Sequence, residues 1–217
     1  MYKKNKRFIG FRDIWLYYAN LIGYLRIVLC IIATMTIVMD VPVITGGLIF
    51  TAILLDWIDG KVARFFNQST IFGDGFDWSI DLFTSLLLLV WLVHCEPKAL
   101  PWITLVTVIE VSCALFDFAI VATERYPKRD HYGSFLIILD WCTPKGSYST
   151  FGTFIWISFP IWVISRCLYI SLDGAFPITN NLLLTLQYAL FLPALLCVWF
   201  NLALLIANIG RWREVRR

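Results

Sequence analysis

DWIDGKVARFFNQSTIFGDGFDWSID, residues 56–81, sets four acidic side chains, Asp56, Asp59, Asp77 and Asp81, at and inside the ends of two strongly apolar runs. A charge inside a membrane-length apolar segment costs at least about 2.5 kcal/mol unless something pairs with it. Four carboxylates so placed require a cation. Asp56 and Asp59 are three apart, and Asp77 and Asp81 four apart. On helices of about 3.6 residues per turn each pair therefore projects from one face, and two facing helices would converge all four on one pocket.

Hard oxygen ligands of this kind suit Mg²⁺ or Mn²⁺, which bind carboxylates and keep positions open for substrate phosphate. Gly60, Ala63 and Gly73 lie between the acidic pairs, and their small side chains let another molecule approach the backbone. Arg64 adds a planar cationic fork suited to phosphate oxygens. The implied contents of the pocket are metal and phosphate in a narrow slot.

Asp56, Asp59, Gly60, Ala63, Arg64, Gly73, Asp77 and Asp81 reproduce, without a departure in spacing, the D-x2-D-G-x2-A-R-x8-G-x3-D-x3-D signature. On these residues the chain resembles the CDP-alcohol phosphotransferases. Within that family it is similar to the eukaryotic phosphatidylinositol synthases, through Asn67, Gln68, Thr70, Phe72 and Gly73 and through NLIGYLRIVL at residues 20–29. The likeness spans residues 18–85. The resemblance implies transfer of a phosphatidyl group from CDP-diacylglycerol to myo-inositol, with two Mg²⁺ or Mn²⁺ ions. By it, Asp56, Asp59 and Asp77 hold the first metal, and Asp81 completes the second and acts as general base. Gly60, Arg64 and Thr70 contact the cytidine diphosphate part. It further implies a homodimer in the endoplasmic reticulum membrane.

Composition agrees with a lipid setting. The 217 residues are 59% hydrophobic, with a mean hydropathy of +0.75, which excludes an ordinary soluble domain. The ten Trp fit aromatic belts at both interfaces. Basic residues gather at the ends of apolar runs, where lipid head groups meet them, so no nucleic-acid partner is expected. The six cysteines have no C-x2-C pairing and read as buried free thiols. With two histidines, a histidine zinc site is not expected.

The expected fold is an all-α integral membrane protein, a bundle of six transmembrane helices in one domain over residues 1–217. Spans are placed at 20–39, 43–66, 76–94, 100–123, 150–172 and 180–209, each close to the roughly 20 residues that cross a bilayer core. A short interfacial helix over residues 9–19 precedes them, and no cleavable signal peptide is expected. Residues 67–75 read as a loop with Asp74 as a solvated turn residue. FLIILDW, residues 135–141, reads as a re-entrant or interfacial piece within the loop 124–149. Of the 18 basic residues, all but Lys98, Arg26 and Arg166 fall on the side of the termini and the four aspartates. The positive-inside rule makes that side cytoplasmic.

Each site also has a plainer reading. Helix caps or ion pairs with Lys61 and Arg64 account for one or two acids near a helix start, not for two deep in an apolar run. Tyr24 and Arg26 are expected to line the cavity, and Asn20 to line it or cap the first helix. Glu110, Asp117 and Arg166 suggest an internal ion pair or polar face. Arg125, Lys128, Arg129 and Lys145 carry either positive-inside bias or phosphate recognition. Two further functions compete with the main one: the same transfer to glycerol 3-phosphate or serine, and passage of divalent cations. Transport needs acids spread across the bilayer, whereas these gather at one face.

Overall fold

The structure, a computed structural model, describes residues 14–66, 68, 70–122, 150–172 and 177–215. Among them the regular structure is entirely helical: α1 Tyr18–Val38, α2 Pro42–Phe65, α3 Ile71–Cys95, α4 Leu100–Ala122, α5 Thr150–Ser171 and α6 Pro177–Val215, with 3₁₀ turns at Ile14–Leu16 and Pro97–Ala99. All six helices are long and apolar enough to cross a membrane, as the sequence predicts. Of the expected interfacial helix, only the turn Ile14–Leu16 and the start of α1 are described. FLIILDW, Cys142 and the basic residues of the loop 124–149 lie outside the described residues, as does the side chain of Asp117. The chain divides into two compact units, Met1–Thr84 and Ser85–Arg217.

In the first unit, the buried positions of α1 are Asn20, Gly23, Arg26, Cys30, Ala33 and Ile37, a spacing of three and four that marks one helix face. Those of α2 are Thr45, Gly46, Ile49, Ala52 and Asp59. Small residues recur in both stripes, Gly23, Cys30 and Ala33 on α1 and Thr45, Gly46 and Ala52 on α2, which lets the two backbones approach closely where no hydrophobic effect drives helices together. The connection is tight. Val41 N–H reaches Thr36 O at 3.1 Å and Asp40 N–H reaches Ile37 O at 3.1 Å, the paired bonds of a Schellman ending. Asp40 takes the left-handed position, φ 52°, which a short polar side chain tolerates better than a branched one. Pro42 then opens α2 at a position where no amide donor is needed.

α3 begins at Ile71, five residues before the expected span. Residues 71–75 are therefore helix rather than loop, and Asp74 sits in the helix and not in a turn. The reason is local: Thr70 Oγ1 accepts the Gly73 N–H at 2.9 Å, an N-terminal cap that offsets the poor helix propensity of Gly73 and Gly75. Gln68 does the same for α1, its Oε1 accepting the Tyr18 N–H at 3.0 Å. Asn20 is consequently not a cap. It lies inside α1, buried, and its Oδ1 stands 3.5 Å from the point where a Cβ on Gly73 would be.

In the second unit α5 packs along α6, and α4 against α6. α6 is longer than the expected span, 39 residues against an apolar stretch of Thr179–Ala203, so the basic segment RWREV continues the helix beyond the apolar part. Arg166 pairs with Glu96, not with Glu110. Its Nε and Nη2 donate to the two oxygens of that carboxylate at 3.0 and 2.9 Å, the fork geometry that matches guanidinium to carboxylate. No two of the described cysteines, Cys30, Cys95, Cys113, Cys167 and Cys197, are joined in a disulfide.

Candidate active site

The four aspartates do meet. Asp56 and Asp59 come from the second half of α2, and Asp77 and Asp81 from the first half of α3. Oxygens of Asp56, Asp59 and Asp77 lie within 4.8 Å of one another. Asp59 is buried, while the side chains of Asp56, Asp77 and Asp81 keep 39–46% of their surface. Asp59 is thus the covered member of the cluster, and the other three keep accessible surface.

Arg26 joins all four. Its Nη1 lies 2.9 Å from Asp56 Oδ1, 3.0 Å from Asp59 Oδ2 and 2.7 Å from Asp77 Oδ1, and its Nη2 lies 2.5 Å from Asp81 Oδ1. The side chain is fully buried, at 1% exposure. One guanidinium against four carboxylates leaves three negative charges over, which suits divalent cations and not a closed structural ion-pair network. The donor set is all carboxylate oxygen, and three of its members converge on a single point. On both counts the residues fit Mg²⁺ or Mn²⁺.

The neighbouring cations stand elsewhere. Lys61 Nζ lies 3.7 Å over the Trp57 ring, and the Arg64 guanidinium folds back over Gly60, its Nη1 3.5 Å from where a Cβ there would be. Among the described residues the ion pairs to the aspartates come from Arg26, not from Lys61 or Arg64. Among the described residues, Gly60, next to Asp59, faces no atom that a methyl would strike, since only Arg64 comes within 4 Å. Its small size leaves space and is not a packing requirement. Gly23 is the opposite case, as a Cβ there would lie 2.7 Å from Phe76 Cε1 and 3.0 Å from Ile80 Cδ1. The side chains of Phe76 and Ile80 on α3 thus press against α1 at Gly23, next to Asp77 and Asp81 in the sequence.

Aromatic rings of the Ile14–Leu16 turn, α1 and α3 pack on one another in the same unit. Trp15 packs on Phe72 at 4.6 Å, Phe72 stacks with Phe76 at 5.9 Å, and Tyr24 meets Phe76 at 5.2 Å. Tyr24 thus lies against α3, and Arg26, expected only to line the cavity, occupies its centre. Gln68 and Thr70 act first as the caps of α1 and α3. The Thr70 hydroxyl accepts in that bond, and its own proton is left to donate. Glu110 joins no ion pair among the described residues; its Oε2 is buried without a hydrogen-bond partner among them.

The family model for CDP-alcohol phosphatidyltransferases matches residues 16–209. A Drosophila melanogaster protein named CDP-diacylglycerol–inositol 3-phosphatidyltransferase is 41% identical over 101 residues, 46% of this chain and 45% of its own length. A Candida albicans protein of that name is 42% identical over 95 residues, 43% of this chain and 40% of its own length. A human one is 38% identical over 87 residues, 40% of each. The chain thus spans less than half the length of these curated relatives. No solved structure matches it.

Proposed function

Because the chain belongs to the CDP-alcohol phosphatidyltransferase family, we propose that it transfers the phosphatidyl group of CDP-diacylglycerol to myo-inositol, releasing CMP. The observation that carries this reading is the convergence of Asp56, Asp59, Asp77 and Asp81 at one end of membrane-length helices. Such a site takes a donor with a polyanionic head and acyl chains, since the head needs cations and the chains need lipid. The acceptor rests on the relatives, whose names specify inositol.

Asp56, Asp59 and Asp77 would hold one Mg²⁺ or Mn²⁺ and Asp81 complete a second, and such a pair neutralises charge on the diphosphate and the leaving CMP. The rest falls to the chain. Asp81, the outermost of the four by exposure, takes the proton of the attacking inositol hydroxyl. The hydroxyl oxygen then forms its bond to the phosphorus that bears diacylglycerol, and the bond from that phosphorus to the CMP oxygen breaks. Gly60 gives the nucleotide room to lie against α2, while the Arg64 fork and the Thr70 hydroxyl donate to its oxygens. Holding donor and acceptor in line supplies much of the rate by itself.

The bias of basic residues supports a cytoplasmic location for both termini and the pocket, and the resemblance supports a homodimer in the endoplasmic reticulum membrane. Removal of metal is the test. Protein stripped with EDTA and given CDP-diacylglycerol and myo-inositol should form no phosphatidylinositol, and added Mg²⁺ or Mn²⁺ should restore synthesis. Undiminished synthesis by thoroughly stripped protein contradicts the metal assignment.

A further inference from the structure

We propose that Arg26 is an exchangeable internal cation: it holds the four carboxylates together in the metal-free chain and leaves the point on which they converge when a divalent ion takes that point. This rests on the metal site of the proposed function and specifies how the empty and loaded forms differ. Two observations carry it. First, Arg26 Nη1 has two hydrogens yet lies within 3.0 Å of oxygens from three carboxylates. It cannot donate well to all three, so the oxygens converge on it as they would on an ion and not as on a fork. A Mg²⁺ ion bound to the same oxygens at about 2.0–2.1 Å would compete for the same volume. Second, Arg26 Nε is buried without a hydrogen-bond partner among the described residues, so the guanidinium is imperfectly satisfied where it stands.

The second unit shows what a fixed arginine pair looks like in the same chain. Arg166 uses Nε and Nη2 together on both oxygens of Glu96. Arg26 is spread over four partners with one donor direction idle. Without it, four buried or half-buried carboxylates would repel one another, so the metal-free protein needs it. With two divalent ions bound the four carboxylates are neutralised, and the charge of Arg26 is surplus at that point.

The test uses the full chain in detergent, without substrates, and Mn²⁺ as the probe. Arg26→Met keeps much of the length of the side chain and removes the charge. It should bind Mn²⁺ at least about tenfold more tightly than the unmodified chain, because a competing cation is gone. In EDTA it should melt at a lower temperature, and saturating Mn²⁺ should close that gap. Arg26→Lys keeps a cation that reaches fewer carboxylates at once. It serves if the methionine variant fails to fold, and should bind Mn²⁺ several-fold more tightly than the unmodified chain. Equal or weaker Mn²⁺ binding by the folded variants overturns the exchange, as does a melting gap that persists with Mn²⁺ bound. Absence of Mn²⁺ binding by the unmodified chain would instead defeat the metal assignment itself.

Discussion

Asp81→Asn should lower the rate of phosphatidylinositol synthesis by about 10²–10⁴-fold, the range that loss of a positioned general base produces. Asparagine keeps the shape and a hydrogen-bonding oxygen but takes up no proton. The loss should fall on kcat and survive saturating Mn²⁺. Asp59→Asn should behave differently, because Asp59 is buried under the cluster and in the proposed site would hold the ion without facing the acceptor. Its loss should shrink as Mn²⁺ is raised. If high Mn²⁺ restores Asp81→Asn to near the unmodified rate, Asp81 is a metal ligand and not the base. The comparison thus separates two roles that one carboxylate could hold.

Gly60→Ala should reduce synthesis by at least about tenfold, with KM for CDP-diacylglycerol raised, while leaving thermal stability equal or slightly higher. Among the described residues the methyl meets only the Arg64 guanidinium, at 3.5–4.0 Å, and alanine within a helix is favoured over glycine by about 1 kcal/mol. The chain itself has no objection to the change, so any loss of activity reports a substrate that lies against this face. Gly23→Ala inverts the pattern. Its methyl would press on Phe76 at 2.7 Å and Ile80 at 3.0 Å, and overpacking of that kind costs about 1–3 kcal/mol. A lower melting temperature should therefore accompany whatever activity is lost. Equal stability and activity for Gly60→Ala would remove Gly60 from the substrate face.

What the sequence shows of this fold, it shows through run length and spacing. Each of the six spans is an apolar stretch of about 20 residues or more, and lipid requires such stretches to be helical. The acidic pairs are equally visible, because carboxylates three and four apart in apolar surroundings are too costly to keep without a cation to bind. The start of α3 is hidden. Gly73 and Gly75 flank Asp74 and imitate a turn, while the cap that overrides them is a single hydroxyl, Thr70. The cap on α1 is hidden more deeply, since Gln68 is 50 residues from Tyr18.

Long-range pairing accounts for the remaining differences. Arg26 reaches acids 30 to 55 residues away, Asp56 and Asp81 at the extremes, and nothing local says how many it will meet. One signal is present in the sequence: an arginine in an apolar run must find acids, and this chain has four near the same membrane face. Arg166 poses the same problem. Glu110 and Asp117 share a helix face and suggest a partner, but Glu96, just past the end of α3, takes the arginine. Sequence spacing identifies which residues share a face; only the folded chain selects between faces.

The most direct test of the central claim is release of CMP by the purified protein given CDP-diacylglycerol and Mg²⁺, with myo-inositol, glycerol 3-phosphate, serine or no acceptor in separate reactions. Release that depends on myo-inositol, absent with the other acceptors and with none, is the predicted result. Release driven by glycerol 3-phosphate or serine would contradict the acceptor while retaining the chemistry, and no release from folded, metal-loaded protein in any reaction would contradict the proposed transfer.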